Sequence, residues 1–378
     1  MAEKLTNEQQ AAVDSRERSL LVSAAAGSGK TKVLVERLFS YVEREGANLD
    51  DFLIITYTRA AASELRGKIA KALTERMERD PGNYHLRQQM LRVYRADIKT
   101  VDAFCTALLR ENCHLLGEDA RGHALRPDFR VLDENEAQVL RERVLARTLD
   151  DFYDCLTPGG TLLADTLGAG RDDSALEDLV LELHAKLQAQ PYEDKWLEAQ
   201  RAFWRAVPDK IEDTPYGKIL LNEVRRKARH CKNLLQRAAQ EMCANDALNQ
   251  KYAPAFLDAS YQLEALEGKT AEGWDAARGV TIAFPRLAAV KDSDGGEMKA
   301  RMKSLWDNCK ETVKGFAEIF SASSDEAVED LRTMAPAMLA LIDLTADFSR
   351  RYNEEKRRRN SADFSDQEHE AIRLLIGE

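Results

Sequence analysis

The feature that most constrains this chain is a glycine-rich segment between an apolar run and a helical pattern. Residues 24–31 read AAAGSGKT, directly after the apolar run SLLVS at residues 19–23 and directly before a helical pattern over residues 30–44. A short apolar run predicts a buried strand, and apolar residues three and four positions apart predict a helix. Gly27 and Gly29 let the backbone turn tightly and point its N–H groups at one place. A strand, a glycine turn and a helix in this order form a cradle for phosphate groups.

Each residue of this loop has an expected role toward a bound ATP. Lys30, the candidate catalytic residue, is expected to hold the β- and γ-phosphates, and the hydroxyl of Thr31 is expected to ligate Mg²⁺. The backbone expected to surround the phosphates belongs to Ala24, Ala25, Ala26, Gly27, Ser28 and Gly29. The common pattern G-x-x-x-x-G-K-[ST] begins with Gly, where this chain has Ala24. The alternative is an ordinary turn with a solvated lysine, and the flanking elements favour the phosphate site.

The first part of the chain predicts an α/β fold. Residues 52–56 (FLIIT) and 98–100 (IKT) are further candidate strands, and residues 59–79 have a helical pattern. Strands that alternate with helices in this way predict a parallel sheet covered by helices.

The pattern changes near residue 133 to long, charge-rich helical segments. These cover residues 134–153, 174–189, 218–243 and 326–359. Gly, Pro, Asp and Ser cluster at expected breaks at residues 158–160, 168–173, 191, 213–217 and 293–296. Residues 279–285 (GVTIAFP) suit either a small strand or a loop, and periodicity does not separate the two.

Composition excludes few function classes. The formal net charge of −10 does not exclude DNA, because binding needs only a local basic face or backbone N–H groups. No apolar run approaches the roughly 20 residues of a membrane span, and the first residues lack a signal-peptide pattern. We therefore expect a cytoplasmic protein without membrane association. The six cysteines show no metal-ligand spacing, so reduced thiols are expected.

Three further segments resemble motifs of superfamily 1 DNA helicases of the UvrD/Rep type. Residues 5–13 (LTNEQQAAV) resemble the Q motif, residues 56–66 (TYTRAAASELR) resemble motif Ia, and residues 98–105 (IKTVDAFC) resemble motif Ib. The resemblance implies that Gln9 reads the adenine and that Arg37 packs on its face. It implies a track for single-stranded DNA along Thr56, Tyr57, Thr58, Arg59, Thr100 and Phe104. Asp102 replaces the more usual His, and we expect it to cap the following helix, because a carboxylate repels phosphate.

Two other segments resemble the helicase-nuclease AddA. Residues 128–137 (DFRVLDENEA) resemble the entry into its accessory helical domain, and residues 362–371 (ADFSDQEHEA) resemble the return, with Gln367 in place of Leu. The resemblance implies a P-loop (RecA-like) parallel-sheet domain, incomplete at its C-terminus, with a large inserted helical domain. The implied boundaries are 1–127 for the motor domain, 128–355 for the insert and 356–378 for the return segment.

The AddA resemblance also implies partners and a pathway. The full-length protein would bind single- and double-stranded DNA and an AddB-like partner, and would act in double-strand break repair and recombination. Two basic clusters of the helical region would permit contact with duplex DNA, although charge runs on helices are usually solvated faces. They comprise Arg225, Arg226, Lys227 and Arg229, and Lys356, Arg357, Arg358 and Arg359.

The later parts of such a motor are not found in the sequence. A Walker B segment D-E-x-Q-D is absent, and the D-E pairs at 133–134 and 325–326 open charged helices. We expect the chain to stop before Walker B and the nuclease domain, so that it has little ATPase, unwinding or nuclease activity alone. One alternative is a nucleotide-dependent DNA-binding or regulatory module that does not unwind DNA. Another is a different P-loop NTPase, against which motif Ia and Gln9 argue.

Overall fold

The chain divides into two compact units in the computed structural model, which describes residues 5–17, 19–118, 122–167 and 174–376. Unit 1 comprises Met1–Val144 and Arg350–Glu378, and unit 2 comprises Leu145–Ser349. The break expected at residues 168–173 lies outside the described residues. Among the described helices, none has both the length and the apolar character needed to cross a membrane.

Unit 1 contains a small parallel sheet with helices packed against it. Its first elements are α1 (Asn7–Asp14), α2 (Lys30–Glu45), β1 (Leu53–Thr56), α3 (Arg59–Arg79), α4 (Tyr84–Arg92), β2 (Asp97–Thr100) and α5 (Val101–Asn112). β1 pairs with β2 in parallel, in a register that runs from Leu53 opposite Asp97 to Thr56 opposite Thr100. The predicted strands at 52–56 and 98–100 are therefore confirmed, and so is the parallel sheet.

One hydrophobic core holds these elements in place. Phe39 and Val42 of α2 and Ile69 and Leu73 of α3 are completely buried in it, together with Ile98 of β2. Burial of a side chain of this kind stabilises the fold by about 1.5–3 kcal/mol. This packing fixes the positions at which β1 and β2 end.

The predicted strand at residues 19–23 is wrong: these residues form neither strand nor helix. Leu20, Leu21 and Val22 are 42%, 94% and 44% exposed. A central parallel strand needs a neighbour at each edge and cover on both faces, and no described strand pairs with this run. Leu53 and Ile55 of β1 are likewise exposed. The apolar run at residues 19–23 thus has the sequence pattern of a strand, but it forms no strand because no neighbouring strand pairs with it.

The two stretches that resemble the entry and return segments of AddA meet in unit 1. β3 (Arg130–Val131) pairs in parallel with β4 (Ser361–Ala362), and α16 (Phe364–Ile376) follows at once. Asn360 has a φ of 47°, and its side chain accepts a hydrogen bond from the Arg126 N–H and donates one to Asp128. Asparagine adopts this left-handed conformation more readily than most residues.

Unit 2 is helical among its described residues. Its helices are the second half of α6 (Glu134–Asp154), then α7 (Pro158–Leu167), α8 (Ser174–Gln188), α9 (Glu193–Arg205), α10 (Pro215–Met242), α11 (Asp246–Lys251), α12 (Ala253–Lys269), α13 (Trp274–Arg278), α14 (Asp292–Ile319) and most of α15 (Ser324–Arg358). The core includes buried Phe256 of α12 and Trp306 of α14, whose rings stack 4.8 Å apart. The expected mostly helical region is confirmed.

Several expected breaks of the helical region coincide with helix ends or kinks. Gly217 lies in the first turn of α10, where a side chain would come 1.9 Å from the Ile211 carbonyl oxygen, so only glycine fits. Gly296 has non-helical dihedral angles and kinks α14. The ambiguous stretch at 279–285 forms no regular strand, although Val280, Ile282 and Phe284 pack against the core at alternate positions.

Candidate nucleotide and nucleic-acid site

The glycine-rich loop has the backbone that its sequence predicts. Gly27 and Gly29 have φ angles of 78° and 83°, in the left-handed region that glycine adopts without strain. The Ser28 N–H donates to the Ala25 carbonyl oxygen at 3.3 Å and closes a tight turn. α2 begins at Lys30, with Gly29 as its N-cap. The loop is exposed except at Gly29, so the positive end of the α2 dipole adjoins an accessible turn.

The Lys30 side chain folds back onto this loop. Its ammonium donates to the carbonyl oxygens of Ala24, at 2.6 Å, and Ala25, at 2.9 Å. Both bonds are exposed, so water is a ready substitute partner for all three groups. A phosphate is a stronger partner than a neutral carbonyl oxygen, because its negative charge adds Coulombic attraction to the hydrogen bond with the ammonium.

Gln9 connects the first helix to the loop. Its side-chain oxygen accepts a hydrogen bond from the Thr6 N–H at 2.9 Å, within a capping box that starts α1. Its side-chain nitrogen donates to the Ser28 carbonyl oxygen at 3.0 Å. Each end of the amide thus makes one hydrogen bond, which leaves one N–H and one oxygen lone pair for the predicted contact with adenine.

Arg37 holds the end of α1 against α2. Its Nη1 donates to the carbonyl oxygens of Ala12 and Ser15, both at 2.6 Å, and its Nη2 donates to the Tyr41 hydroxyl at 3.2 Å. These bonds lie in the guanidinium plane, since its N–H groups are fixed there. The face of the group is what would stack on a base, and the in-plane bonds hold that face in a defined orientation.

The candidate DNA residues lie where β1 and β2 end. Thr56 and Thr100 are opposite each other in the ladder. Thr58 caps α3 by accepting a hydrogen bond from the Ala61 N–H at 3.1 Å, and Thr100 caps α5 by accepting one from the Ala103 N–H at 3.2 Å. Two helix N-termini therefore begin at one edge of the sheet, where N–H groups and helix dipoles favour an anion.

The remaining track residues differ in exposure. Tyr57 projects fully into solvent, with a relative exposure of 101%. Arg59 is exposed, whereas Phe104 is half-buried in the first turns of α5. The structure therefore brings the predicted DNA residues to one edge of the sheet and leaves one aromatic ring free for stacking.

The expectation for Asp102 is wrong. The N-cap of α5 is Thr100, and Asp102 lies in the first turn of that helix. Thr100 has the cap because its extended backbone immediately precedes the first helical residue, as an N-cap requires. Asp102 in the first turn still interacts favourably with the helix dipole.

The two basic clusters are engaged in contacts within the protein. On α10, Arg226 and Lys227 pair with Glu223 at 2.8 and 3.1 Å, Arg229 pairs with Glu267 at 2.7 Å, and Arg225 donates to Thr270 at 2.9 Å. In the second cluster Arg358 and Arg359 both pair with Glu355, and Arg357 pairs with Glu370. A phosphate would have to compete with these carboxylates.

Lys356 of the second cluster is a core residue. It is 1% exposed, and its ammonium contacts Asp363 at 2.9 Å and Asp366 at 2.7 Å. The ammonium also lies 4.1 Å from the centre of the Tyr352 ring, and the Tyr352 hydroxyl donates to Asp363 at 3.0 Å. Burial would raise the pKa of Asp363, but the charge of Lys356 and the hydrogen bonds from Lys356, the Asp366 N–H and Tyr352 outweigh it and hold that pKa at about 2. We call Tyr352, Lys356, Asp363 and Asp366 the return cluster.

Comparison with known proteins decides the family. The family described as the UvrD/REP helicase N-terminal domain matches residues 5–377. The chain belongs to the UvrD/REP helicase family. The resemblance found in motifs Q, Ia and Ib is therefore confirmed.

Relatives in this family agree on a subgroup, the AddA proteins, which are named as ATP-dependent helicase/nucleases. The AddA protein of Alkaliphilus oremlandii is 34% identical over 379 residues, which cover 99% of this chain and 31% of that protein. The protein of the same name from Ruminiclostridium cellulolyticum is 31% identical over 385 residues, covering 98% of this chain and 30% of that protein. The one from Desulforudis audaxviator is 34% identical, with 98% and 30% covered. The chain thus spans about 30% of the length of these relatives, and the AddA resemblance is confirmed.

Two residues to which the sequence analysis assigned no role support the UvrD/REP helicase motifs. Arg66, at the end of the motif Ia segment, donates to the carbonyl oxygens of Ala96 and Ile98 at 3.2 and 3.1 Å. It thereby ties α3 to the edge of β2. Gln367 is completely buried and accepts a hydrogen bond from the Thr106 hydroxyl of α5. The replacement of Leu by Gln at this position is thus matched by a polar partner.

Proposed function

We propose that this chain is the N-terminal ATP- and DNA-binding part of an AddA-like helicase-nuclease. In this proposal unit 1 is the first part of a RecA-like motor domain, and unit 2 is its inserted helical domain. The observation that carries the proposal is the register of β1 and β2, which places the N-termini of α3 and α5 side by side. A single-stranded phosphate backbone fits such an edge.

ATP would bind at the glycine-rich loop. Lys30 would give up the carbonyl oxygens of Ala24 and Ala25 for the β- and γ-phosphates. The hydroxyl of Thr31 would serve as a ligand of Mg²⁺, whose preference is for oxygen. Adenine would lie near Gln9 and the guanidinium face of Arg37. Because Gln9 bonds to Ser28 of the loop, the residue that would contact adenine is linked directly to the backbone that would surround the phosphates.

The whole protein would couple ATP hydrolysis to unwinding of DNA and degrade the strands with its nuclease. Its substrates would be single- and double-stranded DNA, its partner an AddB-like protein, and its role double-strand break repair and recombination in the cytoplasm. The relatives carry the words helicase and nuclease in their names, which supports this proposal. The exposed ring of Tyr57 would support a base of the tracked strand.

The test is the binding of a fluorescent oligothymidylate to the chain, followed by anisotropy. Replacement Tyr57→Ala should weaken binding about tenfold, because stacking contributes roughly 1–3 kcal/mol per base. Tyr261→Ala is the matched control, since Tyr261 is a 62% exposed tyrosine of α12, and it should have no effect. If both variants lose affinity for the oligothymidylate equally, or if neither loses affinity, single-stranded DNA does not bind along this edge of the sheet.

A further inference from the structure

Helix α4 has an exposed face that its packing does not explain. Tyr84, Leu91 and Tyr94 are 71%, 77% and 72% exposed, and Arg87 and Arg95 are exposed as well. At 100° per residue, and with the helical turn after α4 counted, these five side chains lie on one side of the helix. We call these five residues the α4 stripe.

The opposite side of α4 anchors the helix firmly. Leu86, Val93 and Ala96 are buried in the core of unit 1. Gln89 is completely buried, accepts a hydrogen bond from the Leu49 N–H at 2.9 Å and donates to Asn48 at 3.1 Å. The α4 stripe is therefore held on a rigid support, which lowers the entropy cost of binding.

The cations of the α4 stripe make no ion-pair contact with a described carboxylate, although Arg95 adds to the lowering of the Asp50 pKa that Arg92 mainly causes. Arg92, on the same helix, forms a two-pronged ion pair with Asp50 at 2.8 and 2.9 Å. Among the described residues no carboxylate is in ion-pair contact with Arg87 or Arg95; Arg87 donates only to the Pro81 carbonyl oxygen. This differs from the basic clusters of α10 and α15, whose arginines are engaged by neighbouring side chains.

The alternation of tyrosine and arginine matches single-stranded nucleic acid. Base faces stack on exposed aromatic rings, and guanidinium groups bind the phosphates between them. Tyr84 and Tyr94 are ten residues apart, or about 15 Å along a helix that rises about 1.5 Å per residue. That distance leaves room for more than one nucleotide between the two rings.

The α4 stripe is separate from the track at Thr56 and Thr100. Tyr94 and Arg95 lie three and two residues before β2, near the end at which that strand begins, whereas Thr100 lies at the other end. A strand rises about 3.3 Å per residue, so the two ends are about 10 Å apart. We propose that the α4 stripe is a second binding surface for single-stranded DNA, beyond the track of the proposed function.

The first experiment measures the salt dependence of binding to fluorescent oligothymidylate. In the double variant Arg87→Gln, Arg95→Gln, the slope of log K against log salt should fall by about 1.4, at about 0.7 per phosphate contact. Lys186→Gln, Arg205→Gln is the matched control: both cations are exposed and paired with Glu182 and Glu198. It removes the same charge and should leave the slope unchanged. An unchanged slope in the α4 variant overturns the proposal.

The second experiment separates the α4 stripe from the track. An oligonucleotide containing 4-thiothymidine should crosslink to peptides carrying Tyr84 or Tyr94, both in the parent chain and in the variant Tyr57→Ala. Crosslinks confined to the peptide of Tyr57 would overturn the α4 stripe and leave the proposed function intact. No crosslink anywhere would count against both. If instead the parent chain self-associates in sedimentation and Tyr84→Ala, Tyr94→Ala abolishes this, the stripe is a contact between copies and the proposal fails.

Discussion

Unit 1 contains two lysines, Lys30 and Lys356, whose surroundings are opposite in exposure and in the charge of their partners. Lys30 is exposed and donates to carbonyl oxygens of its own loop. Lys356 is 1% exposed and sits between two carboxylates. A lysine with weak, exposed partners is available to a ligand, whereas one with buried charged partners is committed to the fold. The phosphate loop and the return cluster are therefore expected to respond to substitution in different measurements.

The largest expected effect is on stability, at the return cluster. Lys356→Met should lower the free energy of unfolding by about 3–5 kcal/mol, because it leaves buried carboxylates without their cation. Urea denaturation followed by circular dichroism measures this. Lys314→Met, which removes an exposed lysine paired with Glu311, should change stability by less than about 1 kcal/mol. Adding Asp363→Asn to Lys356→Met should restore part of the loss, and a double variant less stable than Lys356→Met would contradict the role assigned to the charge.

The next effect is on nucleotide binding, at the phosphate loop. Lys30→Ala should weaken ATP binding about 100-fold, since it removes charge-assisted hydrogen bonds worth roughly 1.5–3 kcal/mol each. Without nucleotide its stability should stay within about 0.5 kcal/mol of the parent chain. Titration calorimetry with Mg²⁺ and ATP measures the binding, with Lys68→Ala, an exposed lysine of α3, as the control. Equal affinity of Lys30→Ala and the parent chain for ATP would show that the nucleotide does not bind at the glycine-rich loop.

A smaller effect is expected from pH at the return cluster. The pKa of Asp363 is about 2, below the ordinary 3.8, so its ionised form is favoured by folding. Its contribution to stability is full above about pH 4 and is lost as the pH falls toward 2, by about 2 kcal/mol. Burial raises the pKa of Asp366, and the charge of Asp363 adds to this effect, so Asp366 acts in the opposite direction in the parent chain and to a smaller extent in Asp363→Asn. Urea unfolding at several pH values should show a smaller acid-induced loss in Asp363→Asn, and parallel pH profiles would refute the assignment.

The smallest effect concerns a cap beside the DNA track. Thr58→Ala should lower the free energy of unfolding by about 1 kcal/mol, because the Ala61 N–H loses its partner at the start of α3. Thr58→Ser keeps the hydroxyl and should cost less. Tyr57→Ala, one residue away, should cost almost nothing, because the Tyr57 ring contacts solvent. Thermal unfolding of the three variants gives the ranking, and a larger loss for Tyr57→Ala than for Thr58→Ala would contradict it.

Local chemistry made the phosphate loop and the two paired strands predictable. Glycine at positions 27 and 29 allows the left-handed angles that the loop adopts, and the short apolar runs at 52–56 and 98–100 pair with each other. The run at 19–23 follows the same rule and fails, because strand formation depends on partners that a local pattern does not reveal. The prediction that Asp102 caps α5 is wrong for a local reason, since the N-cap of this helix is Thr100, two residues earlier.

The return cluster was missed because a charge run looks alike whether it is solvated or buried. Lys356 precedes its partners Asp363 and Asp366 by seven and ten residues, across the turn that Asn360 makes. A usable signal was present: Asp363 and Asp366 are spaced for reciprocal capping, and each accepts a hydrogen bond from the backbone N–H of the other. Acidic residues fixed in this way are placed to receive a cation. The α4 stripe gave no such signal, since exposure is a property of the folded chain.

The parallel pairing of β3 with β4 joins two segments that are far apart in the sequence, so that the chain between them forms a closed loop. Arg130 and Ser361 are opposite each other, at the spacing of about 4.8 Å that separates hydrogen-bonded strands, although 230 residues lie between them. The entropy of closing such a loop grows only with the logarithm of its length, so doubling it costs about 0.6 kcal/mol. Segments of unit 2, Leu145–Ser349, can therefore be lengthened or shortened at little cost to the sheet and glycine-rich loop of unit 1, provided that Tyr352 and Lys356 of the return cluster are kept.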